Sequence, residues 1–303
     1  MTNATKVFLF KGARVEGAKV SHNFAVGLPS LTGLTGLAST FAARLAQSFD
    51  LEPTEMVSTG VLFAFENYHL AEGYKKGFKV GQATYERVAS AYASFTAHLA
   101  FEVRATTAQA QSLLDGEDLA EVAQELLASL SFCKGRFQDV SKPVNLASPR
   151  LQDFASDRAR AIAMLPSFST VVAEAGFIVE DLRTAGLPLM EGLLATTLPH
   201  AKRPSAFKTF YDDPAHGGGR WKLVPVQDGY LVIDDQGAGQ SLRPTYAGVQ
   251  GASHVASPTF SLVRLQLAAS LKLDLADTSQ LEADRFGPFW SSRSHSHGYF
   301  CAT

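Results

Sequence analysis

The stretch Ser94-Phe-Thr-Ala-His-Leu-Ala-Phe-Glu-Val-Arg104 decides how the chain is read. Its Phe95, Ala97, Leu99, Phe101 and Val103 alternate with polar or small residues. That is the two-residue period of a strand with one face turned inward. Upstream, Val57 to His69 has the same character, with Val61, Phe63 and Phe65 on one side. Between them lies Gly73-Tyr-Lys-Lys-Gly-Phe-Lys-Val80, a basic, aromatic, glycine-flanked connection. The two strands and their connection predict one long hairpin.

Toward the N-terminus, Lys6 to Val15 is short and apolar and reads as a buried first strand. After the Gly17 to Pro29 stretch, Leu31, Leu34, Ala38, Phe41 and Leu45 recur every three to four residues, on one helical face. Ser30 is the expected N-cap. Gly33 and Gly36 inside this helix point to close packing on a sheet or to a phosphate near its N-terminus. Toward the C-terminus, Ala108 to Leu130 predicts a second helix, with Leu119, Val122, Leu126 and Leu130 as its buried stripe. A polar loop with Lys134, Gly135 and Arg136 follows, then Ala161 to Ala173 as a fourth strand and Glu180 to Leu194 as another helix. The order β-α-β-β-α-β places the chain in the α+β class, with a ferredoxin-like core of the kind RNA-recognition modules use.

Composition shifts near Pro199: Pro204, Pro214 and Gly217-Gly-Gly219 mark loops. Trp221 to Ile233 reads as a hairpin turning at Asp228-Gly229. Pro258 to Leu273 is apolar again, and the tail runs from Phe286 to Phe300. Two units are expected: a core over 1–175 with its long hairpin near 68–87, and a mixed partner-binding region over 176–303.

The chain has 303 residues, 46% of them hydrophobic and 18% charged, which suffices for a sizeable core and excludes global disorder. Lys plus Arg is 27 and Asp plus Glu is 29, a formal charge of -2 that excludes a polybasic tail but not a local basic groove. Two cysteines, Cys133 and Cys301, are too few for a disulfide scaffold and read as reduced thiols in a cytoplasmic protein. The apolar run Val7 to Phe10 is bracketed by Lys6 and Lys11, unlike a signal peptide. No stretch approaches the ~20 apolar residues of a membrane span, so no membrane partner is expected.

Most candidate catalytic groups reduce to plainer roles. His295 and His297 form an H-x-H near Cys301, but zinc would want a fourth ligand, and Arg293, His295 and His297 also share one face of a terminal strand. Ser30 in Gly27-Leu-Pro-Ser-Leu-Thr-Gly33 lacks the spacing of a nucleophile elbow, and no Walker loop follows Gly33. Asp234 and Asp235 are adjacent acids at an expected hairpin end. His22, between the first strand and the helix, would need a substrate hydroxyl in reach to act as a general base. No catalytic residue, metal or cofactor is expected. The cluster Tyr68, His69, Tyr74, Lys75, Lys76 and Lys79 differs in kind. Its lysines suit phosphates and its aromatic faces suit unstacked bases; the plain alternative is a solvated hairpin tip.

Four blocks carry a family resemblance. They are Ser21-His-Asn-Phe-Ala-Val-Gly-Leu-Pro-Ser-Leu-Thr-Gly-Leu-Thr-Gly-Leu37, Ala97 to Val103, Leu165-Pro-Ser-Phe168, and Trp221-Lys-Leu-Val-Pro-Val-Gln-Asp-Gly-Tyr230. In this order they resemble the type I-F member of the Cas-five group, called Csy-two, a subunit of CRISPR surveillance complexes. The resemblance implies an RNA-recognition-type fold of the RAMP superfamily, with a thumb-like hairpin between the second and third core strands, here Tyr68 to Arg87. It implies a non-catalytic subunit that holds the 5′ handle of the guide RNA at one end of a DNA-targeting complex in antiviral defence. Its partners would be the large subunit that reads target DNA and the backbone subunit that tracks the guide. The thumb here is short and arginine-poor, and Ser241 to Ser257 has no counterpart. On this basis Lys75, Lys76 and Lys79 are expected on phosphates and Tyr68 and Tyr74 on bases. Asn23 and Phe24 come next, then Arg136 and Arg293. The rivals are a guide-processing endoribonuclease with His22 as base, and a backbone subunit.

Overall fold

A computed structural model of the chain describes residues 4–22, 25–71, 74–80, 83–114, 116, 119–151, 154, 156–196, 198, 200–213, 216, 222–232, 256–276, 288–295 and 298–302. Its first strand, β1 (Thr5–Lys19), sends Phe8 and Phe10 to one side and Val7 and Leu9 to the other, and buries all four. A short ladder of β2 (Ser21–His22) and β3 (Ala25–Val26) leads to α1 (Leu31–Gln47). Ser30 caps this helix as predicted, its Oγ accepting from the Gly33 N–H at 3.1 Å. The apolar stripe of α1 lies on the sheet, where Phe41 stacks on Phe101 at 4.6 Å and meets Phe8 and Phe10 edge-on.

β4 (Met56–Leu70) and β7 (Tyr92–Ala105) are the arms of the predicted hairpin, antiparallel from Met56↔Ala105 to Leu70↔Ala93. Beyond them the hairpin continues as a separate ladder, β5 (Tyr74–Val80) with β6 (Ala83–Ser90). The return runs through α2 (Ala108–Leu114) and α3 (Leu119–Ser129), which bury Leu114, Leu119, Ala123 and Leu127 in the same cluster as α1. It ends in a tight pair, β8 (Ser131–Phe132) and β9 (Gly135–Gln138), with β9 antiparallel to β1. The resulting order is β9-β1-β7-β4, all neighbours antiparallel, with α1 between β1 and β4 along the chain and α2 and α3 between β7 and β9.

Gly135–Gln138, read from the sequence as a polar loop, is the strand beside β1, and the predicted strand over Ala161 to Ala173 is extended only at its end. Residues 157–164 form α4 (Asp157–Met164), capped by Ser156 and followed by Pro166, and only β10 (Thr170–Glu174) is extended. Short apolar runs fit either period, and the cap decided for helix. The predicted helix over Glu180 to Leu194 is two, α5 (Phe177–Thr184) and α6 (Leu189–Ala195), broken at Gly186 (φ +66°) and Pro188. α7 (Ser205–Asp212) packs Phe207 and Tyr211 against them. Asp228-Gly229 is not a turn. It lies inside one strand, β11 (Lys222–Val232), as a bulge against β12 (Ala256–Leu267), where the Asp228 carboxylate accepts from Thr259 Oγ1 at 2.9 Å. α8 (Ala268–Ala276), β13 (Phe289–His295) and β14 (Gly298–Ala302) complete the chain.

The C-terminal strands join the same sheet, in the order β10-β12-β11-β14-β13-β4-β7-β1-β9-β8. β10 also pairs with β4 through Thr170↔Phe65, end to end with β13, which pairs through Phe289↔Leu62. The pairings β4-β13-β14-β11-β12-β10 thus close into a ring, and Trp290 Nε1 donates across it to the Val172 carbonyl at 2.9 Å. The molecule is α+β, built on a curled antiparallel sheet. On the face away from α1, the segment through Leu146 and Leu151 joins α4 and α8 to cover Val7, Leu9, Leu62, Ala64 and Ala100. No helix among the described residues is long and apolar enough to cross a membrane.

Candidate nucleic-acid interface

The central strands change character midway. On β7, His98 to Val103 are buried on both faces, whereas from Tyr92 to Ala97 only Ala93, Phe95 and Ala97 are. Tyr92, Ser94 and Thr96 lie on the other, open face. β1 repeats the switch: Val7 to Phe10 are buried on both sides, then Ala13, Val15 and Ala18 alternate with the more exposed Arg14, Glu16 and Lys19. β9 extends the pattern, with Gly135 and Phe137 buried and Arg136 and Gln138 exposed. Register sets Arg14 between Thr96 and Gln138, Glu16 beside Arg136, and Lys19 beside Tyr92. Among the described residues, the half of the sheet nearest the hairpin is thus open on one face and carries three cations there, beside Glu16 and Glu66. Glu16 is already engaged, by Arg14 at 2.7 Å and by Gln138 Nε2 at 2.8 Å.

His98 stands at the boundary and is buried. Its Nδ1 accepts from the Gly12 N–H at 3.1 Å, and its Nε2 faces a Glu66 carboxylate oxygen at 3.6 Å. Gly12, at φ +78°, forms the bulge between Phe10 and Ala13, so His98 pins that bulge in place. Burial lowers the His98 pKa, with Lys11 acting in the same direction and Glu66 against it. The imidazole is therefore neutral at physiological pH.

In the covered half, Glu102 takes two hydrogen bonds from Arg158, at 2.8 and 2.6 Å, and one from Thr59 Oγ1 at 2.7 Å. Burial alone would push this carboxyl up; Arg158 and Thr59 outweigh it and hold Glu102 below the usual carboxylate range. Arg158, on α4, also lies over the Phe289 ring, 4.9 Å from its centroid. A Cβ at Gly60 would stand 3.2 Å from both Arg158 Nη2 and Glu102 Oε2, so glycine admits this pair.

Of the residues singled out from the sequence, Tyr74, Lys75, Lys76 and Lys79 fall together on β5. They pair with Ser90, Val88, Arg87 and Thr84 of β6. Tyr68 belongs to the core side instead. Its ring stacks on Phe95 at 5.7 Å and 7°, its hydroxyl donates to the Gly27 carbonyl, and burial pushes its pKa up to about 12. The cause is a bulge at Asn67 (φ 51°) between the Glu66↔Thr96 and His69↔Ser94 pairs. It returns Tyr68 to the side of Phe65 and leaves His69 exposed. Arg136 is exposed on β9. Arg293 is exposed on β13, separated from β1 by β4 and β7. Asn23 and Phe24 lie outside the described residues, as does His297. Arg14, Lys19 and Tyr92 were not singled out from the sequence. Their signal is the end of two-sided burial at His98, which marks which half of the alternation faces solvent.

The Cys301 thiol, 3.4 Å from Thr35 Oγ1, is pushed up to about 11 by burial, and burial likewise raises Cys133. Both are protonated at neutral pH. Among the described residues no group of three or more His, Cys, Asp or Glu is placed to hold a metal. No family model and no curated protein matches the chain. The open face offers ammonium and guanidinium groups, hydroxyls and an exposed tyrosine, groups that suit phosphates, hydrogen bonds and ring stacking.

Proposed function

We propose that this chain is a non-catalytic, cytoplasmic guide-RNA-binding subunit of a CRISPR type I-F-like DNA-targeting complex, holding the 5′ handle of the guide. The observation that carries the reading is the β5–β6 ladder, with Lys75, Lys76 and Lys79, inserted between the second and third strands of a β9-β1-β7-β4 arrangement. We read that arrangement as a ferredoxin-like core of the RNA-recognition type. In this reading the lysines neutralise handle phosphates and Tyr74 stacks on a splayed base. The C-terminal region meets the large subunit, near target DNA, and the backbone subunit.

Guide-RNA affinity measured across a salt series tests it. Replacing Lys75, Lys76 and Lys79 together with alanine should weaken binding and flatten the log–log salt slope by about two units, at roughly 0.7 per lost phosphate contact. Tyr74→Ala should remove about 1–3 kcal/mol with the slope unchanged. A triple variant with wild-type affinity and slope would overturn the reading. Metal-independent cleavage of repeat RNA, abolished by His22→Ala, would replace it with the endoribonuclease.

A further inference from the structure

We propose that the open half of the β9-β1-β7 sheet is a second contact surface for single-stranded RNA, continuous with the hairpin. Arg14, Lys19 and Arg136 would take phosphates and Tyr92 a base. The inference rests on the guide-RNA reading and extends it to residues outside the hairpin. Four observations converge on this face. Among the described residues no layer covers it, in strands that a few residues further on are buried on both sides. Its polar residues are hydroxyls, an aromatic ring and charges in which the cations Arg14, Lys19 and Arg136 outnumber the carboxylates Glu16 and Glu66. Of its two carboxylates, Glu16 is engaged by Arg14 and by Gln138. The Arg14–Glu16 pair is itself exposed, with side chains 60% and 38% accessible, so Arg14 can hold Glu16 through one N–H edge and offer the other to a phosphate.

The geometry gives the track a direction. Neighbouring strands lie ~4.8 Å apart, so Arg136, Arg14 and Thr96 step across the sheet within about two strand spacings. Lys19 and Tyr92 are direct partners at the hairpin end. The Ala71 N–H donates to the Tyr92 carbonyl at 2.8 Å, so Tyr92 stands at the root of the β5–β6 ladder. A strand leaving the lysines of β5 would meet Tyr92 first, then the cations of β1 and β9. Ser94 and Thr96 between them offer hydroxyls to sugar 2′-OH groups, a contact DNA lacks. An acidic protein segment could satisfy the cations but would leave the hydroxyls and the ring unexplained.

The test uses the full chain and a labelled oligouridylate, with the matching oligothymidylate beside it. Arg14→Gln, Lys19→Gln and Arg136→Gln combined should lower oligouridylate affinity and reduce the salt slope by about two units, with the melting temperature unchanged. Tyr92→Ala should weaken binding roughly fivefold to a hundredfold at constant slope. If the Lys75/Lys76/Lys79 variant loses binding while the triple glutamine variant keeps it, the track is wrong and the guide-RNA reading stands. If the wild-type chain binds neither oligouridylate nor guide RNA, both fall. If the glutamine variant binds RNA normally but no longer assembles with its protein partners, the face is a protein interface and the proposal is overturned.

Discussion

The two halves of the β1–β7–β4 sheet share one helical layer and differ in the other. Toward the Ala105 end of β7, α4, α8 and the segment through Leu146 and Leu151 cover the second face, and that face is apolar: Val7, Leu9, Leu62, Ala64, Ala100. Toward the Tyr92 end the cover stops, and the same face becomes Arg14, Glu16, Lys19, Tyr92, Ser94 and Thr96. Polar groups inside the covered half are tolerated only with partners, as for Glu102 with Arg158 and Thr59. The layer, not the strands, decides which residues are left exposed. A half covered on both faces anchors the fold, and a half covered on one face presents side chains on a rigid base.

The largest effect should come from cutting into the covered face. Leu62 is fully buried between β4 and the second layer. Leu62→Ala should lower unfolding free energy by about 2–5 kcal/mol, read from a denaturant midpoint at constant slope. A loss below about 1 kcal/mol would mean that the second layer packs loosely and that the two halves are alike.

An intermediate effect tests what ties α4 down. Arg158→Ala leaves Glu102 with Thr59 alone. Because the Arg158 side chain is 43% exposed, we expect about 1–2 kcal/mol at neutral pH, not the larger loss of a fully buried pair. The pH dependence has a defined sign. In the wild type Glu102 is held below the unfolded carboxylate value of about 4.3, so its contribution is full above that value and is lost as pH falls through the lower folded one. In the variant only Thr59 and the charge of Arg104 still oppose burial, so the carboxyl rises relative to the wild type and protonation costs the fold less. The gap between variant and wild type should therefore narrow on acidification toward pH ~4. A gap that stays constant with pH would show that the ion pair is not what holds α4 on the sheet.

Much of this arrangement is legible in the residues. The strand over Ser94 to Arg104, the Ser30 cap and the long hairpin stand as read, because each is a local pattern with a local cause, though the second layer buries both faces of that strand from His98 to Val103. What escaped depends on one residue more or less, or on distant partners. β9 is four residues long, too short for its period to register, yet it is the strand that flanks β1. The Asn67 bulge moves Tyr68 from the open side to the core, and alternation alone misplaces it. Asp228-Gly229 has the composition of a turn, but β12 and β14 on either side keep the strand straight through it. Gly33 and Gly36 look equivalent in the sequence and are not. A Cβ at Gly33 would collide with Cys133 Sγ and stand 3.0 Å from Ser30 Oγ, whereas one at Gly36 meets nothing within 4 Å.

The smallest expected effect sharpens the comparison most. Thr96 and Leu62 lie on the same face of the same sheet, two strands of one hairpin, one beyond the second layer and one beneath it. Thr96 is partly exposed, flanked by Arg14 on β1 and Glu66 on β4. Thr96→Ala removes a β-branched side chain from a strand, which lowers strand preference slightly, but it opens no cavity and strands no buried polar atom. Its effect on stability should therefore stay within about 0.5 kcal/mol, the range of surface substitutions without a buried partner. The same denaturation experiment that reports Leu62→Ala measures it, and the ratio of the two losses is the quantity of interest. A ratio of several-fold follows if the second layer ends near His98. A Thr96→Ala loss above about 1.5 kcal/mol would mean that Thr96 is covered in solution. The open half would then be part of the anchor, and the proposed RNA surface of Arg14, Lys19 and Arg136 would fall with it.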